Sequence, residues 1–294
     1  MTLIGCFVSP HPPIIVPEVG GAELAEVDAT VRSMRELQAK AAALAPETIV
    51  LLSPHAPLAM RQMGVSFGSS YRGSLAYFRA PHVIIEAPGD EELGEAILER
   101  AAGKNIPTTI IASFGDVVEL DHGSMVPLVY IMGALPRPCR LVLLSFSQLS
   151  CGEHVRFGEA VGEAILGSPR RVLYVASSDL SHRLIPGAPA GYDPRSAEFD
   201  KKVVDAFGAG DWEGLLSIPP ALTAAAGECG YRSMAVLAGV VAAARAAGLR
   251  TRNRVLSYEG PFGVGYLVGE VEIAEAGAAE TGPSHAGTAQ GAVL

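Results

Sequence analysis

Six short apolar runs, each ending in Ser, Pro, Gly or Asp, constrain the fold more than any other feature of this chain. Each run has four to seven residues, is rich in Val, Ile and Leu, and does not alternate between apolar and polar positions. The runs cover residues 3–8, 48–52, 82–86, 108–112, 140–144 and 171–176. Runs of this length without alternation are typical of strands buried on both faces of a largely parallel sheet.

Stretches with helical spacing lie between and after these runs, at residues 22–44, 90–102, 151–166, 196–206 and 234–247. The alternation of strand and helix predicts an α/β fold with crossover connections, in which helices flank a central mostly parallel or mixed sheet. Residues 254–259 and 262–272 flank a Glu-Gly-Pro turn and predict a hairpin or an edge pair. No linker is visible, so we predict one domain over residues 1–275. A disordered tail rich in Ala, Gly, Ser and Thr is predicted over residues 276–294.

Charge and cysteine usage exclude several classes of protein. The chain has 22 Lys and Arg against 31 Asp and Glu, a net charge of −9, and it carries no basic stripe, so we expect no nucleic-acid partner. Its four cysteines form no C-x-x-C pair, which argues against a disulfide framework or a cysteine-based zinc site. We find no signal peptide or membrane span in the sequence and expect a soluble cytoplasmic protein.

Four of the seven histidines fall where loops leave predicted strands. His11 and His55 each end a Ser-Pro-His tripeptide, His182 ends Asp-Leu-Ser-His, and His122 is the centre of Asp-His-Gly. Ligands of open parallel sheets bind outside the carboxyl ends of the strands, so these imidazoles are candidates for one shared site. A metal site and ordinary hydrogen-bonded loop histidines both remain open on spacing alone.

Glu228 is a third candidate ligand, because an acidic residue among small apolar neighbours is costly to bury without a cation or a donor. The alternative is a carboxylate that caps or lines the first turn of the helix predicted to follow it. Two histidines and one carboxylate form the triad typical of non-haem Fe(II) oxygenases. The same set also suits a zinc ion that catalyses hydrolysis.

Four segments, in this order along the chain, resemble the class III extradiol dioxygenase superfamily. They are Ser-Pro-His-Pro-Pro-Ile-Ile at 9–15, Ser-Pro-His-Ala-Pro at 53–57, Leu-Asp-His-Gly-Ser-Met-Val-Pro-Leu at 120–128 and Ser-Asp-Leu-Ser-His at 178–182. The resemblance is to catalytic subunits of the protocatechuate 4,5-dioxygenase type, and the superfamily also includes Memo-like proteins. It spans roughly residues 1–273, and the motifs are specific as a set.

The resemblance implies an α/β fold with a metal centre in a cleft at the carboxyl ends of the strands. Position by position, His11 and His55 match the two metal-ligand histidines and Glu228 matches the carboxylate ligand. The implied ion is Fe(II), with Zn or Mn as alternatives. The implied activity is extradiol cleavage of a catecholic ring by dioxygen.

The resemblance also implies roles around the metal. His182 matches the acid/base histidine and His122 matches the other active-site histidine, while Asp121 and Asp179 would orient their neighbours. The implied partners are a small aromatic diol and dioxygen, with assembly into a homo-oligomer and a small accessory subunit in some relatives.

One departure leaves the ligand set open. Memo-like relatives have a cysteine near the metal where the dioxygenases have a glutamate, and here Glu228 and Cys229 are adjacent. If Cys229 is the third metal-site residue, the resemblance favours a Memo-like metal-binding regulatory protein without ring cleavage. A metal-dependent hydrolase is a further alternative. Arg232 could bind a substrate carboxylate or serve only to start a helix.

Overall fold

A large mixed sheet forms the centre of the molecule. The strands are β1 (Leu3–Ser9), β2 (Thr48–Leu52), β3 (Met63–Ser66), β4 (Ser70–Leu75), β5 (Ala80–Pro88), β6 (Thr108–Ile110), β7 (Val117–Glu119), β8 (Arg140–Ser145), β9 (Val172–Ser177), β10 (Arg250–Glu259) and β11 (Tyr266–Ala274). Within residues 1–111 and 116–275, which the computed structural model describes, eight of them form one sheet in the order β10-β11-β1-β9-β2-β8-β3-β6. A smaller sheet has the order β5-β4-β7.

Helices cover both faces of the large sheet. They are α1 (Pro17–Gly20), α2 (Asp28–Leu44), α3 (Glu91–Gly103), α4 (His122–Met132), α5 (Cys151–Gly167), α6 (Ser196–Ala209), α7 (Trp212–Leu216), α8 (Pro220–Ala226) and α9 (Tyr231–Ala246). One core lies between the sheet and α3, α5, α6 and α9, and the other between the sheet, α2, α4 and the small sheet. The elements form a single α/β domain, as predicted.

The four central strands confirm the prediction of a parallel sheet buried on both faces. β1 pairs in parallel with β9, β9 with β2, and β2 with β8. Alternate residues of β2 enter different cores: Val50 and Leu52 pack on one face, and Ile49 and Leu51 on the other. This two-sided burial explains why the runs are apolar without alternation. The parallel arrangement also places the carboxyl ends of these strands along one edge of the sheet.

Two of the six apolar runs do not belong to that parallel centre. Residues 82–86 lie in β5 of the small sheet, where Ile85 is buried but Ile84 is 49% exposed. The run at 108–112 forms only the short edge strand β6, where Ile110 is 61% exposed, and residue 112 lies outside the described residues. The expectation of burial on both faces was wrong for these two runs, because each belongs to an edge strand.

The other elements follow the predicted pattern closely. Asp90 caps α3 by accepting a hydrogen bond from the Leu93 N–H at 3.2 Å. The helix predicted over 22–44 is a 3-10 helix over Gly21–Val27 followed by α2. β10 and β11 form the predicted antiparallel pair. The predicted tail at 276–294 lies outside the described residues. None of the helices in the described part of the chain combines the length and the apolar content that crossing a bilayer requires.

Candidate metal centre

His11 is held in one orientation just after β1 by two hydrogen bonds, one through its backbone and one through its ring. It is 2% exposed, and its backbone N–H donates to Oδ1 of Asp179 at 2.8 Å. The Ser177 hydroxyl lies 2.9 Å from the His11 Nδ1 and donates its single hydrogen to the carbonyl of Gly123 at 2.6 Å. Ser177 can therefore only accept from His11, so the His11 Nδ1 carries the proton and the Nε2 lone pair is free. This is the tautomer that a metal-ligating histidine needs.

His55 follows β2 and meets His11 through its own Nε2. The two Nε2 atoms are 3.1 Å apart. Two imidazole nitrogens that share one ion, each about 2.1 Å from it, are separated by about 3.0–3.4 Å at octahedral or tetrahedral angles. The loop that carries His55 is fixed by Ser53, whose Oγ accepts the His55 backbone N–H at 3.2 Å and donates to Asp121 at 2.6 Å.

His122 completes a group of three. It is the first residue of α4, whose N-cap is Asp121, and the Asp121 carboxylate accepts hydrogen bonds from the Ser124 N–H and hydroxyl at 3.1 and 2.9 Å. The His122 ring centre is 4.2 Å from that of His55. One nitrogen from each of His11, His55 and His122 lies within 4.8 Å of the other two, and the three could hold a metal ion.

Burial and mutual proximity keep two of these histidines neutral. Burial lowers the pKa of His11 to about 3, and the nearby His122 lowers it further. Burial of its inner side lowers the pKa of His55 to about 4, with His11 and His122 acting in the same direction. Their lone pairs are therefore available near neutral pH, where a metal ion replaces the missing proton.

An acid and a thiol face the same nitrogen of His11. Oδ2 of Asp179 and Sγ of Cys229 each lie 3.5 Å from the His11 Nε2. Burial raises the pKa of Asp179 to about 6, and burial with the Asp179 charge raises the pKa of Cys229 well above its usual value. A bound dication would reverse both effects, because it favours the anionic forms of a carboxyl and a thiol.

Gly230 allows the Cys229 loop to approach the end of β9. A Cβ at this position would lie 2.0 Å from the Ser178 Oγ and 2.5 Å from the Asp179 carbonyl oxygen. No side chain larger than hydrogen fits there without moving one of the two segments. The close approach is what brings the sulfur of Cys229 to the histidines.

His182 borders this group from the loop after β9. Its backbone N–H donates to the Ala226 carbonyl at 3.0 Å, and its charge contributes to the lowered pKa values of His11 and His55. The His182 Nδ1 is buried and has no hydrogen-bond partner among the described residues.

The structure places Glu228 away from the histidine group, although the sequence made it the expected carboxylate ligand. Its Oε2 accepts the Tyr231 N–H at 2.6 Å at the start of α9, so Glu228 caps the helix from a position ahead of its first turn. The metal-binding group found among the described residues does not include it. Adjacent side chains of this loop diverge: Cys229 faces the histidines, while Glu228 lines a separate cavity of about 530 Å³. Burial raises the pKa of Glu228 to about 7.

Arg232 lies beside the same cavity. Its guanidinium donates to the Gln148 side chain at 3.2 Å and lies 5.7 Å from the centre of the Phe146 ring. These contacts place Arg232 against the loop that follows β8.

Sequence reasoning missed two groups of the site. Ser177, which sets the His11 tautomer, directly follows the apolar run 171–176 and ends β9, and that position was the only available signal. Phe78 ends a short 3-10 helix, Ala76–Phe78, between β4 and β5, and its ring centre is 5.7 Å from that of His122. No motif marks that segment.

Fold and site together define a class: a single-domain α/β protein with three histidines that could hold a metal ion at the carboxyl ends of parallel strands. The chain belongs to the family described as the catalytic LigB subunit of aromatic ring-opening dioxygenase, whose family model matches residues 5–269.

Two similar proteins can be compared with the chain. It is 37% identical over 277 residues to Protein CA_C1420 of Clostridium acetobutylicum, and the match covers 92% of this chain and 58% of the relative. The chain therefore spans little more than half the length of that relative. A solved structure, described as the uncharacterized protein JW3007 from Escherichia coli K12, has a TM-score of 0.59 and 19% sequence identity. That match covers 91% of this chain and 99% of the other, and it shows a shared fold.

Proposed function

We propose that the protein is a non-haem Fe(II)-dependent extradiol dioxygenase that opens the ring of a small catecholic substrate. The observation that carries the proposal is the 3.1 Å separation of the His11 and His55 Nε2 atoms, with His122 beside them, in a chain of the LigB family. Iron(II) suits neutral imidazoles combined with a carboxylate and open coordination positions.

The residues that would hold the ion are His11, His55 and His122, with Asp179 and Cys229 within reach of the His11 Nε2. A bound Fe(II) would supply a site where the two diol oxygens and dioxygen meet, and would acidify the diol hydroxyls. The protein keeps the His11 lone pair directed at that position through Ser177 and Asp179. The carboxylate of Asp179 adds negative charge, which favours a cation there.

His182 is the proposed base. Its imidazole lies close enough to His11 and His55 to affect their pKa values, and it would take the proton of the second diol hydroxyl and later return it to the opening ring. His122 is the second proposed acid/base group if two of the other side chains suffice to hold the ion. Phe78, against His122, provides an apolar wall for a flat ring.

The position of Cys229 favours a second candidate function. Its sulfur lies 3.5 Å from the His11 Nε2, whereas the carboxylate of Glu228 is engaged at the start of α9. Thiolate ligands favour zinc or Cu(I) over an oxygen-activating Fe(II) site. The second candidate is therefore a Memo-like metal-binding regulatory protein without ring cleavage.

The test is anaerobic loading with Fe(II), followed by addition of dioxygen and a panel of catechols. The dioxygenase proposal expects dioxygen uptake matched by a ring-opened product with at least one diol. No uptake with any diol, by protein shown to contain iron, would favour the second candidate. The His182→Phe variant should keep its iron and lose most turnover; full turnover in that variant would refute the role of His182 as base.

A further inference from the structure

A second cavity lies at the edge of the sheet opposite the candidate metal centre. Its volume is about 670 Å³. It opens where three parallel strands begin: Glu47 precedes β2, Arg140 starts β8 and Arg171 precedes β9. The candidate metal centre lies beyond the other ends of these strands, so the length of the strands separates the two sites.

Four arginines line this cavity, in a chain whose net charge is −9. They are Arg137, Arg140, Arg170 and Arg171, and Glu47 is the acid in the same lining. Arg170 is paired with Asp90 and Glu92, but the other three arginines outnumber Glu47, and a bound anion would reduce the repulsion among them.

Most of the guanidinium donors are not used by the protein. Arg170 is engaged by Asp90 and Glu92, at 3.1 and 2.8 Å. Arg140 donates through Nη1 to the Gly89 carbonyl and Arg171 through Nη2 to the Leu44 carbonyl. Each guanidinium has five N–H donors, so both keep several for a ligand.

Arg137 has no hydrogen-bond or ion-pair partner in the described part of the chain, and it is exposed. It lies between Pro136 and Pro138, whose rings restrict the backbone on both sides of it. The stiff backbone limits the backbone entropy that this segment would lose on binding a ligand.

The rest of the lining is apolar and rigid. Pro46, Pro88, Pro136 and Pro138 line the cavity together with Ala45. Cavities of about 300–1,000 Å³ hold small organic ligands. Rigid pyrrolidine rings offer a surface for a carbon skeleton next to the guanidinium groups.

We propose that this cavity binds a small organic phosphate, with the phosphate on Arg137, Arg140 and Arg171 and the carbon skeleton on the prolines. A phosphate has more acceptor oxygens and more negative charge than a carboxylate, so it can accept from several planar guanidinium groups at once. The site is independent of the proposed dioxygenase activity, because it shares no residue with the metal centre.

The test is calorimetric titration of metal-free protein with cyclohexyl phosphate and, separately, with inorganic phosphate. We expect cyclohexyl phosphate to bind at least tenfold more tightly than inorganic phosphate. Arg137→Gln should weaken the binding of cyclohexyl phosphate at least tenfold. The double variant Arg137→Gln with Arg140→Gln should weaken this binding further. Since Arg137 has no partner in the described structure, its variant should melt at the same temperature as the parent.

Arg252→Gln is the matched control, because Arg252 is an exposed arginine on β10 that lines none of this cavity. It should bind cyclohexyl phosphate like the parent. The proposal is overturned if the two phosphates bind equally or not at all at millimolar concentration. It is also overturned if Arg137→Gln binds like the parent, or if Arg252→Gln weakens binding as much.

Discussion

The Nε2 atoms of His11 and His55 lie 3.1 Å apart, although the two residues are 44 positions apart in the chain. Each ends a Ser-Pro-His tripeptide at the carboxyl end of a parallel strand, and β9 lies between the two strands. The order of the strands therefore places two similar motifs across one cleft.

His55→Ala should lower the affinity for Fe(II) or Zn(II) at least roughly tenfold, because it removes one of three converging nitrogens. Metal content after dialysis against a buffered metal would measure this. His82→Ala, at an exposed histidine on β5, is the control and should retain the parent's metal content. Equal metal content in both variants would contradict the proposed centre.

Ser177→Ala should lower metal affinity roughly 10–100-fold without removing a ligand, because it deletes the acceptor that fixes the His11 tautomer. Ser178→Ala is a close control, since the hydroxyl of Ser178 is buried and has no partner among the described residues. Competition with a chromophoric chelator would measure and compare the metal affinities of the two variants. If Ser178→Ala lost a similar amount of metal affinity, the loss in Ser177→Ala would come from disturbed packing and not from the His11 tautomer.

Cys229→Ala should abolish thiolate-to-metal charge-transfer absorption in Co(II)-loaded protein, because the sulfur lies 3.5 Å from the His11 Nε2. Glu228→Gln should keep that absorption and the bound metal, because its side chain can still accept from the Tyr231 N–H. Near-ultraviolet spectra of the two variants would separate the ligands. Metal loss in Glu228→Gln alone would support Glu228 as the carboxylate ligand that the sequence predicts.

Metal-free protein should lose stability as the pH falls below about 6.5. The pKa of His11 is about 3 in the folded protein, against an ordinary 6.5, so the unfolded chain binds more protons between these values. The free energy of unfolding should decrease by up to about 1.4 kcal/mol per pH unit for this group. Urea unfolding at several pH values should give a smaller pH dependence in His11→Gln. An unchanged pH dependence would show that His11 does not titrate as described.

Gly230→Ala should destabilise the protein and weaken metal binding together, because the added Cβ would lie 2.0 Å from the Ser178 Oγ. Gly103→Ala is the control, at a helical glycine with no atom within 4 Å of an added Cβ. Thermal melting and metal content would be measured on both. Parent-like behaviour of Gly230→Ala would mean that the Cys229 loop can move without consequence.

The sequence was informative where burial is two-sided. β1, β2, β8 and β9 are apolar over most of their length on both faces, so their runs stood out, and their ends marked the edge where His11 and His55 meet. β3, β4 and β7 gave no signal, because Gly64, Gly73 and polar residues interrupt them. The segment that carries Phe78 joins β4 to β5. Since β4 was not recognised in the sequence, the place of Phe78 beside His122 could not be predicted.

The choice between Glu228 and Cys229 could not be made from the sequence. Both are polar, they are adjacent, and either could face the histidines. What separates them is tertiary: the Tyr231 N–H needs an acceptor, and Gly230 allows the backbone to approach β9 closely. Neither constraint is visible in a linear pattern.

The three histidines come from the end of β1, the end of β2 and the start of α4, so their nitrogens converge only in the folded chain. An ion held there ties three distant segments together and is released when they separate. At a free metal concentration one hundred times its dissociation constant, such an ion adds about 2.7 kcal/mol to the free energy of unfolding. The supply of metal in the surroundings would then govern how long the protein survives heat and proteases, whether or not it turns over a substrate.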